Sequence, residues 1–254
     1  MDSILARLVF KNLLALLFSI TCITAAAQPF SNLTAKAWLV ADTNGKILDG
    51  NNITDVRSIA SITKLMTVMI TLDGNQDLNE IISTKLYHKK LSRRDLISLA
   101  VVKSDNNAAK ILCESYISGY EGCINAMNNK AFALQMYNTK FVDPTGLFNE
   151  NVSTAEDLVK LVIAASNYTI INEDSNKEKV KLLSNKHQLI FFNTNSLVGK
   201  GYDFLVSKTG WITKSGGCIV MMMNNHLSTR IVVLLGSKNT RTRIPEAKMI
   251  ALAY

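Results

Sequence analysis

Ser61-Ile62-Thr63-Lys64-Leu65-Met66-Thr67-Val68-Met69-Ile70-Thr71-Leu72 marks where the hydrophobic period changes. Upstream, Ala35-Lys36-Ala37-Trp38-Leu39-Val40-Ala41 reads as a strand, Asp42-Thr43-Asn44-Gly45 as a hairpin turn, and Lys46-Ile47-Leu48-Asp49 as the start of the return strand. From Ser61, the residues Ile62, Leu65, Met66, Met69, Ile70 and Leu72 recur at helical spacing and give one broad apolar face. This helix is expected to begin at Ser61 and to end near Asp73-Gly74.

Helical signals continue through the middle of the chain. Ser92-Arg93-Arg94-Asp95 fits a capping box with Asp in place of Glu, followed by an apolar run to Val102. Ser104 or Asp105 can cap a next helix carrying Ala108, Ile111 and Leu112, and a third amphipathic segment runs from about Gly122 to Leu134. Val142-Asp143-Pro144-Thr145-Gly146 reads as a turn, and Thr154-Ala155-Glu156-Asp157 starts a helix through Ala165. Beyond Lys186 the period returns to two, with candidate strands Gln188–Phe192, Phe204–Lys208, Cys218–Met223 and Thr229–Leu235. Asn224-Asn225-His226 joins the last two, and a helix over Ile244–Leu252, with Pro245 in its first turn, closes the chain. The order is that of an α+β fold. Terminal segments build one antiparallel sheet, flanked by helices, and an all-helical region of about 75–185 is inserted between them.

Three short signatures stand in order: Ser61-Ile62-Thr63-Lys64, Ser104-Asp105-Asn106 and Lys208-Thr209-Gly210. Each alone is common by chance; their order and placement carry the weight. Residues i and i+3 share a helix face, so the Lys64 amine can reach the Ser61 hydroxyl. A serine hydroxyl is a poor nucleophile until a base takes its proton, and a lysine serves as base only if burial or a nearby cation lowers its pKa. Lys208 is the candidate cation. At the helix start the Ser61 N–H is free of intrahelical partners. Ser104 suits a proton relay to a departing amine, and Asn106 suits a substrate amide, with both ends of its side chain. Lys208-Thr209-Gly210 is expected to end a strand. There Gly210 lets a substrate backbone approach the edge, Lys208 and Thr209 suit a carboxylate, and the Trp211 and Ser61 N–H groups pair as an oxyanion hole. A Ser-His-Asp hydrolase fails on context: no G-x-S-x-G elbow exists, and His88, His187 and His226 sit in a basic loop, a strand start and a turn.

Composition narrows the setting. The 254 residues are 48% hydrophobic and 19% charged, with a net charge of +8, an ordinary globular balance with a basic bias. Lys and Arg are scattered without interleaved aromatics, which argues against nucleic acid and leaves an anionic wall or membrane surface for peripheral contact. Arg7 and Lys11, the apolar run Leu13–Ile23 and then Ala25-Ala26-Ala27 form a signal peptide pattern with a cut after Ala27. The alternative, a retained anchor, is disfavoured because the run falls short of the ~20 residues a span needs. Residues 28–254 are then one exported domain. Cys113, Cys123 and Cys218 show no C-x-x-C spacing, so no metal or other cofactor is expected. A Cys113–Cys123 bridge is an alternative, but the expectation is three buried small hydrophobes.

With these residues in hand, the chain resembles the low-molecular-mass penicillin-binding proteins, the serine D-alanyl-D-alanine endopeptidases and carboxypeptidases. The likeness extends to Ile59-Ala60-Ser61-Ile62-Thr63-Lys64-Leu65-Met66-Thr67, Asp143-Pro144-Thr145-Gly146-Leu147 and Asn151-Val152-Ser153-Thr154-Ala155. It implies a β-lactamase/transpeptidase-like fold with the active site where sheet and helical region meet. It also implies cleavage of D-alanyl bonds in peptidoglycan stem peptides and covalent capture by β-lactam antibiotics. Carried onto this chain, the resemblance makes Ser61 the acylated residue and Lys64 its base. Ser104 and Asn106 would flank the pocket, and Lys208 and Thr209 would hold the carboxylate.

The interval from Lys64 to Ser104 looks shorter than is typical of such relatives, which would trim the basic segment Lys85–Arg94. The chain also stops soon after its last helix, which tilts the expectation toward the smaller endopeptidase branch over carboxypeptidases. A serine β-lactamase would share the three signatures, but neither Glu150 nor Glu156 sits in a Glu-x-x-Leu-Asn arrangement. A non-catalytic wall-sensing module would be expected to have lost one of the motif residues.

Overall fold

The computed structural model describes residues 30, 32–82, 86–182, 188–225 and 228–254. The expected signal peptide, His187 and His226 lie outside them. Residues 33–254 form one compact unit.

The chain enters through β1 (Ala37–Ala41) and β2 (Ile47–Asn51). The turn between them is built by Asp42, whose Oδ1 accepts from the N–H groups of Asn44 and Lys46, both at 2.9 Å. A short β3 (Arg57–Ser58) leads to a 3-10 turn over Ala60–Ile62 and then α1 (Thr63–Asp73). The small hairpin β4 (Ile81–Ile82) and β5 (Leu91–Ser92) precedes α2 (Arg93–Ser98), which continues as a π turn over Leu99–Lys103. Helices α3 (Asn106–Glu114) and α4 (Gly119–Ala133) follow. Beyond them come β6 (Val152–Ser153), α5 (Ala155–Ser166), α6 (Thr169–Asn176) and the ribbon β7 (Lys179–Leu182) with β8 (Leu189–Phe192). Three long strands, β9 (Asp203–Ile212), β10 (Gly216–Asn225) and β11 (Ser228–Ser237), and the helix α7 (Arg243–Ala253) complete the unit.

Terminal segments make one five-stranded sheet in the order β2-β1-β11-β10-β9, antiparallel throughout. Every residue of β1 is buried, because α5 packs on the sheet and α7 covers β10 and β11. Strand β9 lies at the edge, where a further extended chain can pair. The caps read from sequence are in place. Ser92 and Asp95 exchange both capping-box hydrogen bonds, Asp105 Oδ1 accepts from Ala108 N–H at 2.9 Å, and Thr154 Oγ1 accepts from Asp157 N–H at 3.1 Å.

Several elements depart from expectation. The α-helix begins at Thr63, with Ser61 inside the preceding 3-10 turn. It is buried from Thr63 to Thr71, on all sides rather than on one face. Its polar side is absorbed internally: Thr67 Oγ1 donates to Pro144 O at 2.7 Å and Thr71 Oγ1 to Thr67 O at 2.8 Å. The Gln188–Phe192 strand does not join the main sheet but pairs with β7 in its own ribbon. Lys208-Thr209-Gly210 does not end a strand; β9 continues through Trp211 and Ile212, paired with Gly217 and Gly216. Cys113 and Cys123 are joined in a disulfide, correcting the expectation of free thiols, while Cys218 is free and buried. One residue after Cys113 leaves α3, a tight loop brings α4 back against it, which sets the two sulfurs side by side.

Candidate active site

The nucleophile turn is held in an uncommon backbone shape. Ala60, immediately before Ser61, has φ 47°, in the left-handed region that costs a residue with a Cβ. Two contacts impose it. Thr63 Oγ1 donates to Ala60 O at 2.8 Å, and Gly146 stacks so closely that an added Cβ would sit 1.9 Å from Ala60 O. Gly146 (φ 79°) belongs to a loop organised by the buried Asp143. That carboxylate accepts from the Thr145 hydroxyl, from the N–H groups of Thr145, Gly146 and Phe148 and from Asn151 Nδ2. Burial pushes the Asp143 pKa up, but these donors together outweigh it, and the carboxyl is held below its usual range.

Lys64 points from α1 to Ser61 and is fully buried. Its Nζ lies 2.8 Å from Ser61 Oγ, 2.7 Å from Asn106 Oδ1 and 2.6 Å from Thr145 O. Two of these three partners are obligate acceptors. As an ammonium, Lys64 donates to all three. As a neutral amine it keeps its two hydrogens on Asn106 and Thr145, and its lone pair faces the Ser61 hydroxyl. Burial lowers the Lys64 pKa from 10.5 to about 7, against the opposing charges of Asp143 and Asp105. The first and second signatures therefore meet on one nitrogen. Since Asn106 Oδ1 is engaged by Lys64, only its amide nitrogen is left for a ligand, not both ends.

The third signature closes the other side. Lys208 is buried, and its Nζ donates to Ser104 Oγ at 2.7 Å and to Thr209 O at 3.0 Å. Its pKa falls well below the usual lysine value through burial first, then through the charges of Lys64 and Arg243. Burial is the largest cause of the Lys64 shift, and Lys208 is not among the causes, so desolvation rather than a second cation leads it. Ser104 sits at φ 60°, which turns its side chain out of the helix line toward Lys208. Gly210 faces the nucleophile, where an added Cβ would lie 2.9 Å from Ile59 O and 3.0 Å from Ser61 N. The Ser61 and Gly210-Trp211 backbones are therefore adjacent. Ser61, Lys64 and Asn106 thus share one nitrogen, Ser104 and Thr209 share Lys208, and Gly210 lies against Ser61, on the edge strand that also carries Trp211.

The model that matches this chain is that of the peptidase family described as D-alanyl-D-alanine carboxypeptidase, over residues 23–87 and 74–239. The chain belongs to that family. A D-alanyl-D-alanine endopeptidase of Escherichia coli (strain K12) is 38% identical over 222 residues, covering 80% of this chain and 71% of that protein. One from Pseudomonas aeruginosa is 34% identical over 251 residues, covering 89% and 81%. Among solved structures, the ampicillin-bound form of penicillin-binding protein D2 from Listeria monocytogenes superposes with a TM-score of 0.75 at 27% identity, covering 86% of this chain and 96% of that one. The fold of this family member is accordingly the α+β, transpeptidase-like one.

Three participants escaped the reading of sequence. Thr145 contributes only its carbonyl, which no side-chain pattern reports. Tyr87, at φ 54°, donates through its hydroxyl to Asp105 Oδ2 and packs its ring on Phe191 at 4.6 Å, bracing the second signature. Arg243, the first residue of α7, is buried and donates from Nη1 to Gly210 O at 2.6 Å. A lone Arg ahead of a helical pattern gives no signal that it will reach back to an edge strand.

Proposed function

We propose that this chain hydrolyses D-alanyl peptide bonds of peptidoglycan through an acyl-enzyme on Ser61, with endopeptidase action preferred over carboxypeptidase action. The observation that carries this reading is the Lys64 amine, whose two other partners accept hydrogens and leave its lone pair for the Ser61 hydroxyl. Ser61 gives its proton to Lys64 as Oγ bonds to the D-alanyl carbonyl carbon. The oxyanion is met by the Ser61 and Trp211 N–H groups, a pairing supported by the closeness of Gly210 to Ser61 N. When the C–N bond breaks, the departing amine takes a proton from the Ser104 hydroxyl, which Lys208 holds, and the proton on Lys64 restores that hydroxyl. Water then cleaves the ester. A β-lactam would follow the same first steps, but its amine stays tethered in the opened ring.

The relatives at 32–38% identity carry the name endopeptidase, while a carboxypeptidase of Bacillus subtilis stands at 24%, which supports the preference. Export to an oxidising compartment is supported by the Cys113–Cys123 bridge and by the Arg7–Ala27 pattern. Digestion of purified cross-linked muropeptides, followed by chromatography, tests the function. Dimers should fall to monomers. Loss of terminal D-alanine with dimers left intact would reverse the preference, and no change in either would refute the function.

A further inference from the structure

A cleft of about 680 Å³ opens beside the third signature, walled by Thr194, Leu197, Arg241, Arg243, Ile244 and Lys248 among others. Its wall touches the catalytic edge strand at two points. Thr209 Oγ1 donates to Thr194 Oγ1 at 2.7 Å, and Arg243, only 8% exposed, donates to Gly210 O. The buried Arg243 Nε has no hydrogen-bond partner among the described residues. Among the described residues, three cations line this cleft and no carboxylate does. Among the described residues, none of the three is in an ion pair. Arg241 is held at the turn by its own N–H donating to Asn239 Oδ1 at 2.8 Å, and Lys248 Nζ lies 5.4 Å from the Tyr202 ring centre. Unpaired cations around a concave wall are a field that favours an anion.

The acyl-enzyme reading says which part of a substrate would arrive there. With the reacting carbonyl at Ser61 and Trp211, a substrate carboxylate at Lys208 and Thr209 lies on the leaving-group side, and the chain beyond it runs past Thr194 into the cleft. A released D-alanine has one carboxylate, which ends at Lys208 and Thr209. A cross-linked stem peptide leaves as a strand with further carboxylates, and a cleft of this size suits a ligand of several residues rather than one alanine.

Resting on the acyl-enzyme reading above, we infer that this cleft is the subsite for the leaving strand of a cross-linked peptide. Arg241 and Lys248 bind a carboxylate of that strand other than the one at the scissile residue. The site thereby selects cross-links over terminal D-alanine.

The test compares wild type with R241A/K248A on a cross-linked muropeptide dimer and on a monomeric pentapeptide. The dimer-to-pentapeptide ratio of kcat/KM should fall roughly 2- to 30-fold, through KM, as expected for charge pairs made by an exposed Arg241 and a partly exposed Lys248. R241K should restore most of the R241A part of that loss. The dimer should also slow acylation by a fluorescent penicillin in wild type and do so less in the double variant, a binding readout independent of turnover. An unchanged ratio, or a dimer that gives wild type no protection, overturns the inference. Failure of wild type to take up the penicillin at all would instead overturn the acyl-enzyme reading.

Discussion

Acylation should carry a rising pH limb with its midpoint near 7, set by Lys64. The amine is a base only when neutral, and burial brings its pKa down to about 7. At pH 7 about half of the molecules then hold the neutral amine, about 10% at pH 6 and about 1% at pH 5. An unshifted lysine would be neutral in only about 0.03% of molecules at pH 7, so desolvation raises the competent fraction about 10³-fold. The sign follows from which form reacts: raising the pH through 7 increases the rate, and above pH 8 it levels. The assay is the second-order acylation rate of a fluorescent penicillin, followed from pH 5 to 9 at constant ionic strength. A tenfold fall per pH unit below 6.5 is expected. Lys64→Arg, which keeps the charge but cannot release its proton, should lose about 10²–10⁴ in rate and the limb with it. A flat profile from pH 5 to 8, or an Arg variant that keeps the limb, would refute the assignment of Lys64 as base.

Two further perturbations probe the frame around that pair. Gly210→Ala would push a Cβ against the backbone at Ile59 and Ser61, which cannot yield as a side chain can; acylation should fall about 10²–10³-fold as the oxyanion contacts separate, and a folded variant reacting within about threefold of wild type would disprove that closeness. The Cys113–Cys123 bridge closes a short loop between α3 and α4, so C113A/C123A should lose about 3 kcal/mol and melt roughly 6–12 °C lower; equal melting temperatures for that variant and wild type under non-reducing conditions would contradict the bond.

How far the sequence announced this molecule depends on whether a feature rests on side-chain periodicity or on distant contacts. Caps at Ser92, Asp105 and Thr154 are local chemistry and stood where expected. The order strand, helices, strands was legible for the same reason. Lys208-Thr209-Gly210 looked like a strand end because a glycine usually weakens a strand. Here Gly210 instead makes room for the Ser61 turn, and β9 runs on. Helix α6 and strand β7 were missed because Thr169–Leu182 is rich in Asn, Asp, Glu and Lys; α6 is fixed by packing on β9, and the buried Asp174 takes Arg94 and Lys177 as partners. Local spacing placed Lys64 beside Ser61, but not the reason its amine is neutralised. That reason is burial beneath the Asp143 loop, and the sequence alone had suggested a second cation.

The most direct test of the central claim is where a penicillin attaches. Trypsin should release residues 58–64, Ser58-Ile59-Ala60-Ser61-Ile62-Thr63-Lys64, and fragmentation of the labelled peptide should place one adduct on Ser61, absent from Ser61→Ala. An adduct on any other residue, or labelling that survives Ser61→Ala, would contradict the account.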